Sequence, residues 1–413
     1  MTARIHFHTD CYSFSGSETT LMLLLGDAFH DEDVSAQFTY RRWPEYEAGL
    51  ARNLPAHVRA RGLRLPDPAD AKHALTGGRT GTVPRAVRGA ITLLPLRQLC
   101  FAYDVVRFVA LFRRSRPDVL HVNNGGLPGA ISCNAAAIAG RLAGVPVIVF
   151  VVNNLAYPYD RPGRWLDYPV DRALVGAVTK FVTGSAAAGH ALRRVLRLAD
   201  RQHVALANGV EARRPSTTPA ETRRALGVAD GAPVVAVVAR LEARKGHRHL
   251  LDAIALLPED LRRDVCVLVA GAGPERERLE RQATEVDAHV RFLGEHPDPW
   301  SLYEIADLVV LPSVDHEDLP VVLIEAMAVG RAVVASRVAG AAELVDDDVT
   351  GLLVPPGDPR ALATAIEELL GDRERRTMMG KAAVERYEAA YTPERVVAAY
   401  RALHRQLVAE VER

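Results

Sequence analysis

Arg240 and Lys245 lie in a short run, Arg240-Leu-Glu-Ala-Arg-Lys-Gly246, that follows an apolar strand pattern and precedes a helical one. Two cations beside a helix N-terminus suit an anion, because the helix dipole and the charges act in the same direction. A solvated basic turn reads the same in isolation. Further along, Gly271-Ala-Gly-Pro274 closes the next strand pattern. Glycines there either let the backbone approach a ligand or simply make a tight β–α turn; the third glycine of a dinucleotide fingerprint is missing. The most informative segment is Leu311-Pro-Ser-Val-Asp-His-Glu-Asp-Leu-Pro-Val-Val-Leu-Ile-Glu-Ala-Met-Ala-Val-Gly330. It places Glu317 on a loop and Glu325 about a turn and a half into the helix that follows. Pro320 fits the first helical position, which leaves free amides just behind it. Carboxylates so placed accept strong hydrogen bonds from a hydroxyl-rich ligand. The plainer account makes Glu317 a solvated residue and Glu325 a helix-surface one.

Other clusters imitate chemistry. Asp346-Asp-Asp348 and Asp315-His-Glu-Asp318 look like metal ligands, yet the triplet runs into Thr350-Gly351 and reads as a solvated turn. Met378-Met-Gly-Lys381 lacks the upstream glycine of a phosphate loop. His121 ends a strand pattern, as a hydrogen-bonded core histidine or as a functional group, and His6 and His8 share a strand face where packing is the simpler account. The basic residues are nearly all arginine; the lysines are Lys72, Lys180, Lys245 and Lys381, so a lysine at a motif position stands out.

The elements that must hold these residues alternate. Apolar, β-branched runs at 4–8, 34–40, 118–122, 146–152 and 180–184 are separated by helical stretches such as 18–29, 129–143 and 187–198. The second half repeats this, with runs at 233–239, 265–270, 290–293, 307–311, 332–336 and 352–354. Such runs suit parallel strands covered on both faces, and the alternation predicts two doubly wound α/β domains. The stretch 211–219, rich in Pro, Ser and Thr, reads as the linker between them. The resulting division is 1–210 with a returning helix 393–413, and 211–392; Pro393 stands where a first-turn proline belongs.

With 413 residues, 48% hydrophobic and 25% charged, the chain is long enough for two buried cores and has the composition of a globular enzyme. A formal net charge of +0 argues against a protein built to coat nucleic acid. Cys11, Cys100, Cys133 and Cys266 form no paired motif, and no apolar leader or membrane-length run is evident, so a cytoplasmic setting is expected. The apolar stretch 91–112 is broken by Arg97, Asp104 and Arg107; it reads as a core-facing helix, with peripheral membrane contact at the inner membrane face as the other reading.

Taken in order, Arg240 with Lys245-Gly246, Gly271-x-Gly-Pro274, Phe292-Leu-Gly294 and the Glu317/Glu325 pair resemble the retaining glycosyltransferases of the GT4 type. Val333-Val-Ala335, Gly340, Glu343 and Thr350-Gly-Leu-Leu-Val-Pro-Pro-Gly-Asp358 continue that resemblance through the second half. In the first half, Ser15-Gly16-Ser17-Glu18 resembles the family's glycine-rich loop, and Arg116-Pro-Asp-Val-Leu-His121 its Pro-Asp-x-x-His strand. The resemblance implies a GT-B fold: two Rossmann-like domains facing a cleft, the last helix crossing back to the first. Two positions depart from the pattern. Asn153 stands where the family commonly has a histidine near the sugar, and Asp318 where it usually has glycine. Both are expected to line the sugar pocket and tune donor choice.

What the resemblance implies about chemistry is specific. A nucleotide-diphosphate sugar serves as co-substrate with no other cofactor and no metal. Arg240 and Lys245 stabilise the leaving phosphate, Glu317 holds the sugar, Glu325 the ribose hydroxyls, and backbone near Gly294 the base. Gly16, Gly271, Gly273, Asp318, Leu319, Pro320 and Val321 complete the donor site, with His121 and Asn153 on the sugar or acceptor side. The acceptor is a small molecule, glycan or glycolipid entering from the first domain. A sugar-nucleotide epimerase on the same fold, or a two-domain binder without chemistry, is the alternative.

Overall fold

The computed structural model describes residues 3–12, 14, 16–68, 96–160, 163–315 and 317–413. Ser15, Lys72, His316 and the first residues of the apolar stretch 91–112 lie outside the described residues. The chain divides into two compact units. The first comprises Met1–Thr183, Gly189–Leu206 and Val397–Arg413; the second, Gly184–Ala188 and Ala207–Val396.

In the first unit, strands β1 (Ala3–Thr9), β2 (Val34–Arg41), β3 (Ala60–Leu63), β4 (Val119–Asn124), β5 (Val147–Val152), β6 (Lys180–Thr183) and β7 (His203–Ala205) form one sheet in the order β3-β2-β1-β4-β5-β6-β7. In the second, β8 (Val234–Val238), β9 (Cys266–Ala270), β10 (His289–Gly294), β11 (Leu308–Leu311), β12 (Val333–Ser336) and β13 (Gly351–Val354) run β10-β9-β8-β11-β12-β13. All the strand pairings are parallel. Both orders reverse direction once, between β1 and β4 and between β8 and β11. In each sheet the carboxyl ends of the strands at that reversal are the usual place for a ligand in an open α/β sheet.

The second sheet shows why its strands read as unbroken apolar runs. Val234 and Ala236 face one core with Leu323, Ile324 and Met327, whereas Val235 and Val237 face another with Leu250, Ile254 and Ile366. A period of two with helices on both sides demands apolar residues at every position. The stretch 211–219 ends differently from a plain linker: the Thr218 side chain accepts from the Glu221 backbone N–H, and that glutamate answers the Thr218 N–H. Thr-Pro-Ala-Glu is a capping box that starts the helix Pro219–Ala225.

The last helix, Pro393–Glu412, begins in the second unit and continues from Val397 in the first, the crossing-back that the resemblance implied. Arg401 binds Asp27 through two nitrogens at 2.5 and 2.6 Å, and Leu403 and Leu407 are buried. The ion pair is partly exposed and worth roughly 0.2–1 kcal/mol, whereas each buried leucine contributes about 1.5–3 kcal/mol. Apolar packing therefore holds the helix and the arginine sets its register. Among the described residues, no helix is long and apolar enough to cross a membrane.

Candidate active site

In the second unit the site begins at Gly246, in the left-handed region at φ 70°. A Cβ there would lie 1.9 Å from the carbonyl oxygen of Pro312, so only glycine lets the loop after β8 lie against the loop after β11. That approach delivers Lys245, whose Nζ stands 2.5 Å from Glu317 Oε1. Ser313 Oγ donates to the same oxygen at 2.7 Å, and Arg244 approaches it at 3.7 Å. Burial pulls the Lys245 ammonium below its usual pKa while Glu317 opposes the shift. Arg240 stands apart from this cluster: its side chain is 62% exposed and paired with Glu242 at 3.1 Å.

Gly271 and Gly294 knit the neighbouring loops together. The Gly271 N–H donates to the Gly294 carbonyl at 2.7 Å, and a Cβ on Gly271 would lie 1.9 Å from the Ala239 carbonyl oxygen. Gly273 packs against the backbone of Leu241 in the same way. Gly271, Gly273 and Gly294, three of the four glycines expected at the donor site, thus let the loops after β8, β9 and β10 pack at backbone distance.

Asp318 is buried, and both its carboxylate oxygens are engaged. Oδ2 accepts from the Gly184 N–H at 2.9 Å and Oδ1 from Ser185 Oγ at 2.8 Å, within the segment Gly184–Ala188 that belongs to this unit. Burial pushes its pKa up to about 6 against those bonds. Next to it, the Leu319 carbonyl accepts from Asn208 Nδ2 at 3.1 Å. Pro320 occupies the cap position rather than the first turn, so the helix Val321–Ala328 starts one residue later than its sequence suggests. Its φ of −69° and ψ of 112° explain this: the ring fits the helical φ, but ψ stays extended. Glu325, the fifth residue of that helix, accepts from the buried Tyr303 hydroxyl at 2.6 Å, and burial pushes its pKa up to about 7. The two glutamates therefore have different environments, one facing cations and one a neutral hydroxyl.

In the first unit, Gly16 opens the helix Gly16–His30, and Glu18 in its first turn is fully buried. Glu18 Oε1 accepts from Thr9 Oγ1 at 3.0 Å, Cys11 Sγ at 3.1 Å and Asn123 Nδ2 at 2.8 Å; Oε2 accepts from the Tyr46 hydroxyl. Desolvation still raises its pKa above the ordinary carboxylate value. Asn123 in turn accepts from Asn153 Nδ2 at 2.9 Å, and the same Nδ2 donates to the Asn124 carbonyl at 3.0 Å. Glu18, Asn123 and Tyr46 are absent from the residues singled out by sequence as site residues. The available signal was an acidic residue in a helix's first turn beside the glycine-rich loop.

His121 takes no part in that chain. Its Nδ1 meets His404 Nε2 of the last helix at 3.2 Å, and burial holds both rings well below the usual histidine pKa. His6 and His8 share Thr39 Oγ1 at 2.9 and 3.0 Å, with their pKa values lowered to about 3 by burial. Asp347 pairs with Arg337, and Asp348 with Arg375. Among the described residues, no group of three His, Cys, Asp or Glu side chains is placed to hold a metal ion.

Comparison with known proteins covers most of the chain. Residues 219–386 match the family described as Glycosyl transferases group 1, and residues 27–209 match the Glycosyl transferase 4-like domain. The 2-deoxystreptamine glucosyltransferase of Streptomyces kanamyceticus is 32% identical over 307 residues, 70% of this chain and 78% of that one. A D-inositol 3-phosphate glycosyltransferase of Corynebacterium urealyticum is 38% identical over 44% of this chain and 46% of its own length. The match thus spans less than half of that relative and about half of the GDP-mannose-dependent mannosyltransferase of Corynebacterium glutamicum, at 52%. Among solved structures, Anabaena Alr3699/HepE in complex with UDP and glucose superposes with a TM-score of 0.76 at 21% identity, over 97% of this chain and 99% of that one. That likeness shows the GT-B fold.

Proposed function

We propose that this chain, which belongs to the GT4-type family of group 1 glycosyl transferases, moves a sugar from a nucleotide-diphosphate donor to an acceptor hydroxyl. The observation that carries the reading is the largely buried Lys245–Glu317 pair at the switch point of the second sheet. A buried ammonium with one carboxylate partner is poised to meet a diphosphate, which restores the charge compensation that burial removes.

In this reading the bond from the anomeric carbon to the phosphate oxygen breaks, and its electrons pass to the phosphate. Lys245 stabilises the growing charge directly. Arg240, now with Glu242, swings from that exposed partner to the diphosphate. The acceptor oxygen bonds to the same face of the anomeric carbon, its proton goes to the leaving phosphate, and configuration is retained. Glu317 holds Lys245 in place and a sugar hydroxyl beside it. Glu325 holds the ribose, and the tight backbone at Gly271 and Gly294 receives the base. No metal takes part.

The acceptor is polar and hydroxyl-bearing, as the names of the inositol phosphate and 2-deoxystreptamine relatives suggest. UDP-glucose and GDP-mannose, offered with inositol phosphate and 2-deoxystreptamine, test the reading by release of nucleoside diphosphate. Acceptor-dependent release is expected. A donor converted without acceptor, or left intact in every mixture, refutes it.

A further inference from the structure

The second sheet has a charged pocket at the end away from Lys245. Pro233, Asp307 and Ala332 precede β8, β11 and β12 and form its rim, and the pocket has a volume of about 600 Å³. One face of the helix Arg373–Ala390 lines it, presenting Arg373, Arg376, Thr377 and Lys381 at helical spacing, with Arg331 opposite. Gly380 permits this: a Cβ there would lie 2.1 Å from the Gly330 carbonyl oxygen, so the helix lies against the turn carrying Arg331.

The charges in this pocket do not balance. Asp307 is the lining carboxylate, and its oxygens accept from the Val234 N–H at 2.9 Å and from Arg376 at 3.2 Å. Arg376 is further occupied by the carbonyls of Leu369 and Leu370. Arg331 reaches the Glu304 carbonyl at 3.0 Å, its Nε is buried without a partner, and burial lowers its pKa. Arg373 and Lys381 are exposed and belong to none of the chain's ion pairs among the described residues. The helices Val321–Ala328 and Pro359–Gly371 end nearby, and two helix C-termini supply roughly −0.5 each. Against the three cations Arg331, Arg373 and Lys381, with the Glu304 carboxylate also attracting Arg331, that leaves about one positive charge uncompensated in a concave site.

We propose that this pocket binds a small phosphate-bearing anion, at a site separate from the donor loops. A phosphate group presents several strong acceptors to convergent arginine and lysine donors, and its charge offsets their mutual repulsion. The site does not depend on the transferase reading, and its test is direct binding.

Inorganic pyrophosphate is titrated calorimetrically into the wild type, into Lys245→Ala, and into Lys245→Ala combined with Arg373→Ala, Lys381→Gln or Lys381→Glu. Saturable binding that weakens with added salt is expected. On the Lys245→Ala background each neutral substitution in the pocket should weaken it by roughly two- to fivefold, the range for an exposed charged contact, and Lys381→Glu should abolish it. Pyrophosphate can also meet Lys245 on the donor loop, so the pocket is read as the binding that Lys245→Ala retains. Melting temperatures establish that each variant is folded. Phosphatidylglycerol vesicles form the second arm: binding to vesicles and pyrophosphate alike assigns the phosphate to a lipid headgroup, and binding to pyrophosphate alone to a soluble metabolite. Vesicle binding without pyrophosphate binding overturns the proposal, as does an affinity left unchanged when Lys381→Glu is added to folded Lys245→Ala.

Discussion

At the scale of single residues, the two glutamates are expected to fail differently. Glu317 touches the Lys245 ammonium, which in the proposed reading meets the growing charge, so Glu317→Gln should mainly lower kcat. In the proposed reading Glu325 holds the unreacting ribose, so Glu325→Gln should mainly raise the donor KM. A hydrogen bond to a charged group is worth about 1.5–3 kcal/mol, which makes each defect roughly 10- to 150-fold. With its pKa near 7, Glu325 gains charge as pH rises through neutrality. Donor KM should therefore fall from pH 6 to pH 8 in the wild type and stay flat in Glu325→Gln; equal profiles would remove Glu325 from the donor site. Asn153 carries a second expectation. Glu18 and the Asn124 carbonyl only accept, so both amides are fixed and Asn153 turns its Nδ2 inward. The group left to a substrate is its carbonyl oxygen, which accepts from a hydroxyl. Donor analogues lacking that hydroxyl, or carrying fluorine there, should lose the same factor of about 2–10, because fluorine cannot donate. Retention of activity by the fluoro analogue alone would mean that the amide presents its nitrogen. The Lys245 and Glu317 positions were legible because motif and spacing carried them. Asn123 and Tyr46 were not, since they reach Glu18 from 105 and 28 residues away and only the folded sheet brings them together.

The elements were legible wherever a strand is covered on both faces. β8, β9, β11 and β12 are continuous apolar runs because helices pack on each side. The edge strands β3, Ala-Arg-Gly-Leu, and β7, His-Val-Ala, carry no strand signal in the sequence, as short strands with one neighbour need little apolar pattern. In the sequence the cap at Thr218 looks like linker, because Thr and Pro serve both purposes and only Glu221 separates them. The last helix makes an acid-sensitive contact. His404 is buried against His121, with its pKa lowered from 6.5 to about 4. Between those values the unfolded chain binds the proton and the native one does not, so stability rises with pH and is lost on acidification below 6.5. The shift amounts to roughly 3 kcal/mol, fully lost near pH 4. Melting temperature should drop between pH 7 and pH 5, and His404→Gln should shrink that drop even if it lowers stability at pH 7. An unchanged drop would place the sensitivity elsewhere, with His6 and His8 next in line.

At the scale of the whole molecule, neutrality bears on how a donor's charge is handled. The chain has 51 basic and 51 acidic side chains, so no net field favours an anionic donor. Charge must be supplied locally, by metal or by side chains. Asp347 and Asp348 of the acidic triplet are engaged with arginines. Asp318 of the other cluster is engaged with Gly184 and Ser185, and Glu317 with Lys245. A divalent ion recruited to the Glu317 loop would compete with Lys245 for the same carboxylate, against a partner already 2.5 Å away. Turnover is therefore expected to survive EDTA and to gain nothing from added magnesium or manganese. Lys245→Ala offers the sharper form of the test. It removes the resident cation and frees Glu317, so any activity it retains should become responsive to magnesium in a way the wild type is not. Loss of wild-type turnover in EDTA with recovery in magnesium would show that the diphosphate is neutralised by metal, and that Lys245 serves the fold of the loop instead.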